Sequence, residues 1–446
     1  MKRFLFFATI TFALIMSSCS GNDDYKSYVP ADSKVVGKFD LKEFITQSGV
    51  DKDKLFEQIK QYAGDELGDM KDNGLDLASP VYFFVRKQDS TFVFGAVAKV
   101  ESREKAEAFY AKKAKQPIKK EANYSCGLNK EGVSVAINDD VFVMMGSSEG
   151  GAETQKAALD KIMAKGYGNV ESNKLMAQAD AQGLFFSLHA DLSIIPFDQL
   201  AESGLNADDF KDYKDMIYGF DGTVKDGICD IATTVESTNK ASQAKIDQLK
   251  KAMGTISPDA AKAFTVEDVI GFAINTDGAK LAEYVKDALA KVQVAGEGDV
   301  KIKNNVVALL SKIKGNVTFS MKDLQHIMFK AEGQNIAPDV ATMFKDIDPS
   351  AVGTEGNGYK LGNFMWFGYE GNKFYLTTNK ESAAEPSKLM GVAAPAQLAE
   401  LLKTHRQVFF INLPKVVEVM KTMGTVEVKV PQEVVDKVKY VTITYK

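Results

Sequence analysis

Only three histidines, three cysteines and one tryptophan occur in 446 residues. His189, His326 and His405 are far apart, with no i, i+3 or i+4 pairing, and no two cysteines lie close together. The usual zinc spacings are thereby excluded. Long apolar runs are missing too. The longest, residues 4–16, falls short of the roughly 20 residues that a bilayer span requires. No basic stripe offsets a formal net charge of −5, which argues against a nucleic-acid partner. No cofactor loop stands out, and no catalytic, cofactor-binding or metal-ligating residue is assigned.

What is present is concentrated first at the N-terminus. Lys2 and Arg3 precede the apolar run, which ends at Met16-Ser-Ser-Cys19. A short charged segment followed by a short apolar one has the form of a secretory signal. The ending resembles the lipobox of bacterial lipoproteins, with Met16 in place of the usual Leu. Residues 1–18 are read as a lipoprotein signal peptide, Cys19 as the lipidated first residue and residues 19–28 as a polar tether. Each buried methylene contributes about 0.8 kcal/mol, so one acyl chain holds marginally and several hold firmly. Loss of Lys2 and Arg3 moves the net charge from −5 to −7. Asp23-Asp24 resembles the acidic export tag of Bacteroidota surface lipoproteins. The expected location is the outer membrane, surface-exposed, with a periplasm-facing anchor as the alternative. Cys126 and Cys229 sit in strand-like text and read as independent thiols.

Downstream, one order of elements recurs four times. A short strand runs into a helix and is followed by two more strands. The strand-to-helix junctions are Asp40, Asp191, Asp277 and Pro414. Asp is a favoured cap and Pro is tolerated in the first turn. Hairpins are expected at 80–85 with 91–98, at 216–224 with 228–235 and at 315–321 with 325–331, and closing strands at 425–430 and 439–445. Asp226-Gly227 suits the positive φ of a tight turn. Between these units lie hairpins at 132–137 with 141–145 and at 364–369 with 373–378, each followed by a helix, near 151–164 and 394–403. The pattern predicts an α+β protein of two tandem, internally duplicated domains of β-α-β-β units. Their mainly antiparallel sheets should be covered by helices on one face. The domains are placed at 29–254 and 255–446.

Tyr28-Val-Pro-Ala-Asp-Ser33, Ser79-Pro-Val-Tyr-Phe-Phe84, Gly95-Ala-Val-Ala-Lys-Val100 and Gly183-Leu-Phe-Phe-Ser-Leu188 carry a family likeness. Over essentially the whole mature chain, the sequence resembles the Bacteroidota lipoprotein family called domain of unknown function 4836. The resemblance implies an envelope protein and no particular activity.

Several motifs invite chemistry and are read more plainly. Gly146-Ser-Ser-Glu-Gly150 fits G-x-S-x-G. A nucleophile elbow needs a parallel sheet beneath its Ser, and Ser148 instead ends a tight hairpin, with no well-placed His downstream. The acid-rich stretch 206–215 lacks the Gly and terminal Glu of a calcium loop. Gly166-Tyr-Gly168 and Gly296-Glu-Gly298 follow helices, whereas phosphate loops follow strands. Lys112, Lys113, Lys115, Lys119 and Lys120 form the one basic cluster and read as a solvated helix end. Phe364-Met-Trp366-Phe-Gly-Tyr369 reads as a half-buried strand ahead of an aromatic sugar platform. The chain is thus expected to be a non-enzymatic binding or scaffold module. Its partners are the membrane, through Cys19, and an envelope protein or glycan. A polymer hydrolase and a sorting or folding factor are the rival readings. Acids converging in one concave pocket would favour the first, a large apolar groove the second.

Overall fold

Strand-rich text with β-branched and aromatic residues at alternate positions builds nearly everything that positions the site. The computed structural model describes residues 23–63, 73–76, 78–88, 91–114, 117–128, 133–148, 152–168, 170–195, 213–291, 297–356, 358–388, 391–423 and 430–445. Helices and strands are mixed, and the strand pairing is mostly antiparallel, as expected. These residues fall into two compact units.

The first unit holds the described residues up to Ile195, with Ile217–Lys225 and those within Lys429–Lys437. Its strands are β1 (Val35–Phe39), β2 (Leu75–Asp76), β3 (Val81–Gln88), β4 (Thr91–Val100), β5 (Lys119–Lys120), β6 (Ser125–Leu128), β7 (Ser134–Ile137), β8 (Val141–Ser147), β9 (Phe186–Asp191) and β10 (Met216–Lys225). They pair antiparallel in the order β10-β9-β1-β3-β4-β8-β7-β6-β5, with β2 beside the end of β4. Asp40 ends β1 and caps the helix Leu41–Ser48 by accepting the Glu43 amide, so this junction forms as read.

Cover on one face alone does not hold here. The pleat sends Phe83, Ala96, Ala98, Phe142 and Met144 to one side, where Leu55, Phe56, Ala106 and Tyr110 of helices meet them. Tyr82, Phe84, Val97, Val143 and Met145 point to the other side, against Leu159 and Ile162 of the helix Ala152–Met163 and Leu175 and Met176 of the helix Lys174–Ala179. Strands apolar on both sides demand cover on both. The tether also ends earlier than residue 28. Asp23–Tyr28 is a 3₁₀ helix that buries Tyr25 and Tyr28 in this second core.

The second unit takes the described residues of Pro196–Met216, Asp226–Val428 and Val438–Lys446. Its strands are β11 (Ile228–Ser237), β12 (Met253–Gly254), β13 (Ile270–Asp277), β14 (Ile313–Asp323), β15 (His326–Gly333), β16 (Val352–Glu355), β17 (Gly358–Leu361), β18 (Met365–Glu370), β19 (Lys373–Thr377), β20 (Gln407–Asn412) and β21 (Tyr440–Tyr445). The order is β11-β21-β20-β13-β14-β15-β19-β18-β17-β16, antiparallel except for the parallel pair β11 and β21, with β12 beside β13.

The chain passes between the units several times, at Lys225/Asp226 among them, and residues 226–254 belong to the second unit because β11 pairs with β21 and carries the helix Lys240–Ala252 with it. Asp226 and Gly227 both take positive φ, 51° and 80°. The strand expected at 425–430 lies outside the described residues but for Val430.

One face of this sheet is apolar along β14, β15, β18 and β19, where Val317, Ala331, Phe367 and Phe374 pack on the helix Ile336–Ile347. On the other face a second core covers Ala273 of β13 and Val408 and Phe410 of β20, using Phe264 and the helix Ala396–Thr404. Beyond β13 on that face, the apolar cover stops.

Candidate functional site

The site begins where that cover stops. Residues directly opposite one another on neighbouring strands share a face of the sheet. One such line runs Val408, Ala273, Thr318, Lys330, Tyr375, Gly368 across β20, β13, β14, β15, β19 and β18. It changes from apolar to polar between Ala273 and Thr318. The next line repeats the change, from Phe410 and Gly271 to Ser320, Met328 and Thr377.

Two cavities open over the polar half. One, of about 250 Å³, is lined by Asp259, Thr318, Lys330, Glu332, Glu370 and Tyr375 among others. The other, of about 200 Å³, includes Asp268, Ser320, Lys322, His326, Thr377 and Lys388. Ala263 and Lys330 line both. Their far walls are the 3₁₀ helix Pro258–Ala263 and the segment 386–388 after the short helix Lys380–Ala384. Either alone is smaller than the usual ~300–1,000 Å³ ligand site, and together they enter that range.

The acids around the first cavity are each engaged. Glu332 accepts the Asn316 backbone amide at 3.2 Å and its side-chain amide at 3.1 Å. Glu370 accepts the Ser387 hydroxyl, and Asp259 pairs with Lys262 at 2.7 Å. In the second cavity Asp268 is buried and accepts the Thr265 amide at 2.6 Å. Burial raises its pKa above the ordinary carboxylate value, against the Thr265 bonds.

The donors are different. Among the described residues, the Lys330 ammonium and the hydroxyls of Thr318, Ser320 and Tyr375 have no hydrogen-bond or ion-pair partner, although Thr318, Ser320 and Tyr375 are buried and Lys330 is half-buried. Burial pushes the Lys330 pKa down, with Glu370 opposing and Lys373 reinforcing the shift. Burial and Glu370 raise that of Tyr375, which keeps it a donor. A side chain or ligand group that accepts hydrogen bonds would satisfy this set.

The residues weighed in the sequence fall elsewhere. Cys19 lies outside the described residues, as do 206–212 of the acid-rich stretch and Lys115 of the basic cluster. Ser148 follows directly after β8, where its hydroxyl accepts the Phe92 amide at 3.0 Å. His405 sits at the end of the helix Ala396–Thr404 and bonds the Leu401 carbonyl at 2.8 Å through Nδ1. His326 pairs with Asp323 at 2.8 Å. His189 is buried beside Asp221 at 3.1 Å, and Ser187 donates to the same carboxylate at 2.7 Å. Phe367 and Tyr369 join the apolar core, while Trp366 donates from the opposite face to Glu355 at 3.1 Å. Gly168 follows the helix Ala152–Met163, with φ of 91°. Cys126 and Cys229 are free thiols, and burial beside Asp230 pushes Cys229 up to about 12. No group of three or more His, Cys, Asp or Glu side chains is placed to hold a metal among the described residues.

Thr318, Lys330 and Tyr375 were not singled out beforehand. Their signal in the sequence is ordinary: polar residues at alternate positions, 316, 318, 320 and then 328, 330, 332, with Met328 the apolar exception. The same alternation marks any strand with one wet face.

Two mostly antiparallel α+β units with a polar cleft in the second define the class of protein. The sequence matches the family described as Domain of unknown function (DUF4836) over residues 25–445, and the chain belongs to that family. No curated protein and no solved structure matches it. No helix among the described residues is long and apolar enough to cross a membrane.

Proposed function

We propose that this protein is a lipid-anchored component of a bacterial cell envelope, of Bacteroidota type, and a non-enzymatic binding module. In this reading acyl chains on Cys19 hold it in the outer membrane, facing the outside, and the partner is an envelope protein or glycan. The anchor rests on the charged start, short apolar run and Cys19 in one continuous stretch. The binding role rests on one observation, the line Thr318-Lys330-Tyr375 whose donors the protein leaves unused above a cleft. These donor atoms open onto the cleft and are not sealed in the core, so a ligand that supplies acceptors can reach them and take the place of water.

We also propose that the two units are copies of one ancestor. Support comes from strand order. Starting at β10, the first sheet visits its strands as hairpin partner, return strand, entry strand, hairpin and four-strand meander. Starting at β21, the second visits its own in the same sequence.

A hydrolase is the second reading, favoured by Asp259, Glu332 and Glu370 converging on one cavity from three different elements. It needs one carboxyl held protonated as an acid. Asp259 is instead held below its ordinary pKa by Lys262.

The test has two arms. Cys19→Ala should release the protein from the membrane fraction, and retention without acylation would end the anchor. A photo-crosslinker at Lys373, on the cleft wall, should trap one partner in native membranes, whereas one at Lys60 should not. Identical products at both positions would end the binding role of the cleft. Turnover of an envelope polysaccharide that is lost in Glu332→Gln would establish the hydrolase instead.

A further inference from the structure

We infer that the ligand of this cleft is an acidic sugar, its oxyanion held by Lys330 over the second cavity and its hydroxyls facing the carboxylates of the first. The inference rests on the binding role proposed for the cleft and names the chemistry of what binds.

The two cavities differ in charge. Lys322, Lys330, Lys388 and His326 line the second, and its one acid is Asp268, whose carboxylate already accepts the Thr265 amide. Lys388 and His326 have acidic neighbours of their own, Glu385 at 2.9 Å and Asp323 at 2.8 Å. Lys330 feels the charge of Glu370 but makes no ion pair or hydrogen bond, and its strand neighbours add free hydroxyls: Thr318 directly opposite and Ser320 one pair along. An ammonium flanked by two hydroxyls matches the several acceptor lone pairs of a carboxylate or sulfate.

The first cavity has the complementary need. Glu332, Glu370 and Asp259 present acceptor oxygens to it and Tyr375 a hydroxyl, and the three acids offset the lysines on the same wall, Lys262, Lys330 and Lys373. Hydroxyl groups, which donate and accept, suit a wall where acids and lysines balance. Lys330 stands where the two halves meet, since it lines both cavities. A ligand with one charged end and one hydroxylated end fits that order, and each cavity is of single-sugar scale instead of polymer scale.

Calorimetry on the purified mature chain in detergent would use glucuronate, glucose 6-sulfate, glucose and inorganic sulfate as probes. One or both acidic sugars should bind more tightly than glucose and than sulfate alone, and the tighter of the two says whether carboxylate or sulfate is the source. Lys330→Met should weaken that binding about 10- to 100-fold, the range of a charge-assisted hydrogen bond. Lys330→Arg should recover part of it, and Lys373→Met should have a smaller effect. Thr318→Val is a second variant, removing one hydroxyl with little change of shape, and should also weaken binding. Unchanged binding of the acidic sugar to folded Lys330→Met would overturn the inference. So would equal binding of glucose and both acidic sugars, lost in Thr318→Val. That last result would leave the cleft a binding site and remove only its charge preference.

Discussion

Taken in strand order, corresponding lines across the two sheets carry their polar stretch on different strands. In the first unit the line reads Asp221, Ser187, Lys38, Tyr82, Val97, Val143, Ala136. In the second it reads Thr444, Val408, Ala273, Thr318, Lys330, Tyr375, Gly368. The polar stretch lies on the return and entry strands in one and on the hairpin strands in the other. The treatment of that polar stretch differs as well. In the first unit Lys38 donates to the Ala181 carbonyl at 2.7 Å, Ser187 donates to Asp221, and Tyr82 bonds Asp180. In the second, Thr318, Lys330 and Tyr375 face cavities without partners, while Thr444 at the far end donates to Asp230 at 3.1 Å. Satisfied polar groups hold a fold together, while unsatisfied ones beside a cavity await something else.

The comparison breaks most readily at its apolar ends. Phe410 is fully buried in the second unit, edge-on to Phe264 at 5.1 Å and to Tyr440 at 5.8 Å between ring centres. Phe410→Ala should cost about 3–5 kcal/mol, because both the transfer energy and the packing around the vacated ring are lost. Denaturant unfolding measures it, and a loss below about 1 kcal/mol would mean that this core is far looser than its ring contacts imply.

Next in size is a buried cation that has its partners. Arg86 of β3 is 6% exposed, grips Asp32 through two bonds of 3.0 and 2.7 Å, and lies 4.1 Å from the centre of the Tyr167 ring. Arg86→Met should destabilise the first unit by about 2 kcal/mol, less than for a wholly buried pair because Asp32 is half exposed and stays hydrated. Recovery of that loss in the double variant Arg86→Met, Asp32→Asn would locate it in the stranded carboxylate.

Much of this was legible in the sequence, and the reasons for the remainder are physical. The hairpins at 80–98 and 315–331 declared themselves by alternation, and Asp40 and Asp191 by the capping chemistry of a carboxylate before a turn. Alternation reports only that one face differs from the other. It reads Val81-Tyr-Phe-Phe-Val as a strand without saying that both faces need cover, so the second layer of helices on the first sheet was missed. The short strands β5, β6, β16 and β17 span four residues or fewer, too few for a period to show. Parallel pairing of β11 with β21 joins residues about 210 apart, and nothing local in either strand announces it. Thr318 and Lys330 looked like solvent-facing residues because the segments that enclose them, 258–263 and 386–388, come from distant parts of the chain.

A smaller effect concerns the polar end of the first line. Asp221 takes bonds from Ser187 and His189, which hold its pKa below the ordinary value although burial pushes the other way. A carboxylate whose folded pKa is depressed contributes stability at pH above its unfolded value, about 3.9, and loses it as pH falls through the folded value. Asp221→Asn should therefore cost about 1 kcal/mol near neutral pH, the worth of an ordinary buried hydrogen bond. The gap from the wild type should close as pH drops below about 4. A gap that stays constant down to the acid transition would assign the loss to shape and not to charge.

The smallest effect, and the one with the opposite sign, belongs to Lys330. Met approximates the length and apolar stem of Lys without the ammonium. At Arg86 the cation is repaid by direct bonds to Asp32, whereas at Lys330 only the unbonded charge of Glu370 opposes desolvation, and burial lowers its pKa on balance. Lys330→Met should consequently leave the ligand-free protein as stable as the wild type, or more stable by up to about 1 kcal/mol. Thermal unfolding without sugar reads this directly, with Arg86→Met as the contrast that moves the other way. A loss of 2 kcal/mol or more in Lys330→Met would mean that the ammonium is already satisfied inside the fold. The two ends of the second line would then not differ as their partners indicate, and the cleft would be a structural polar cluster like the one around Asp221.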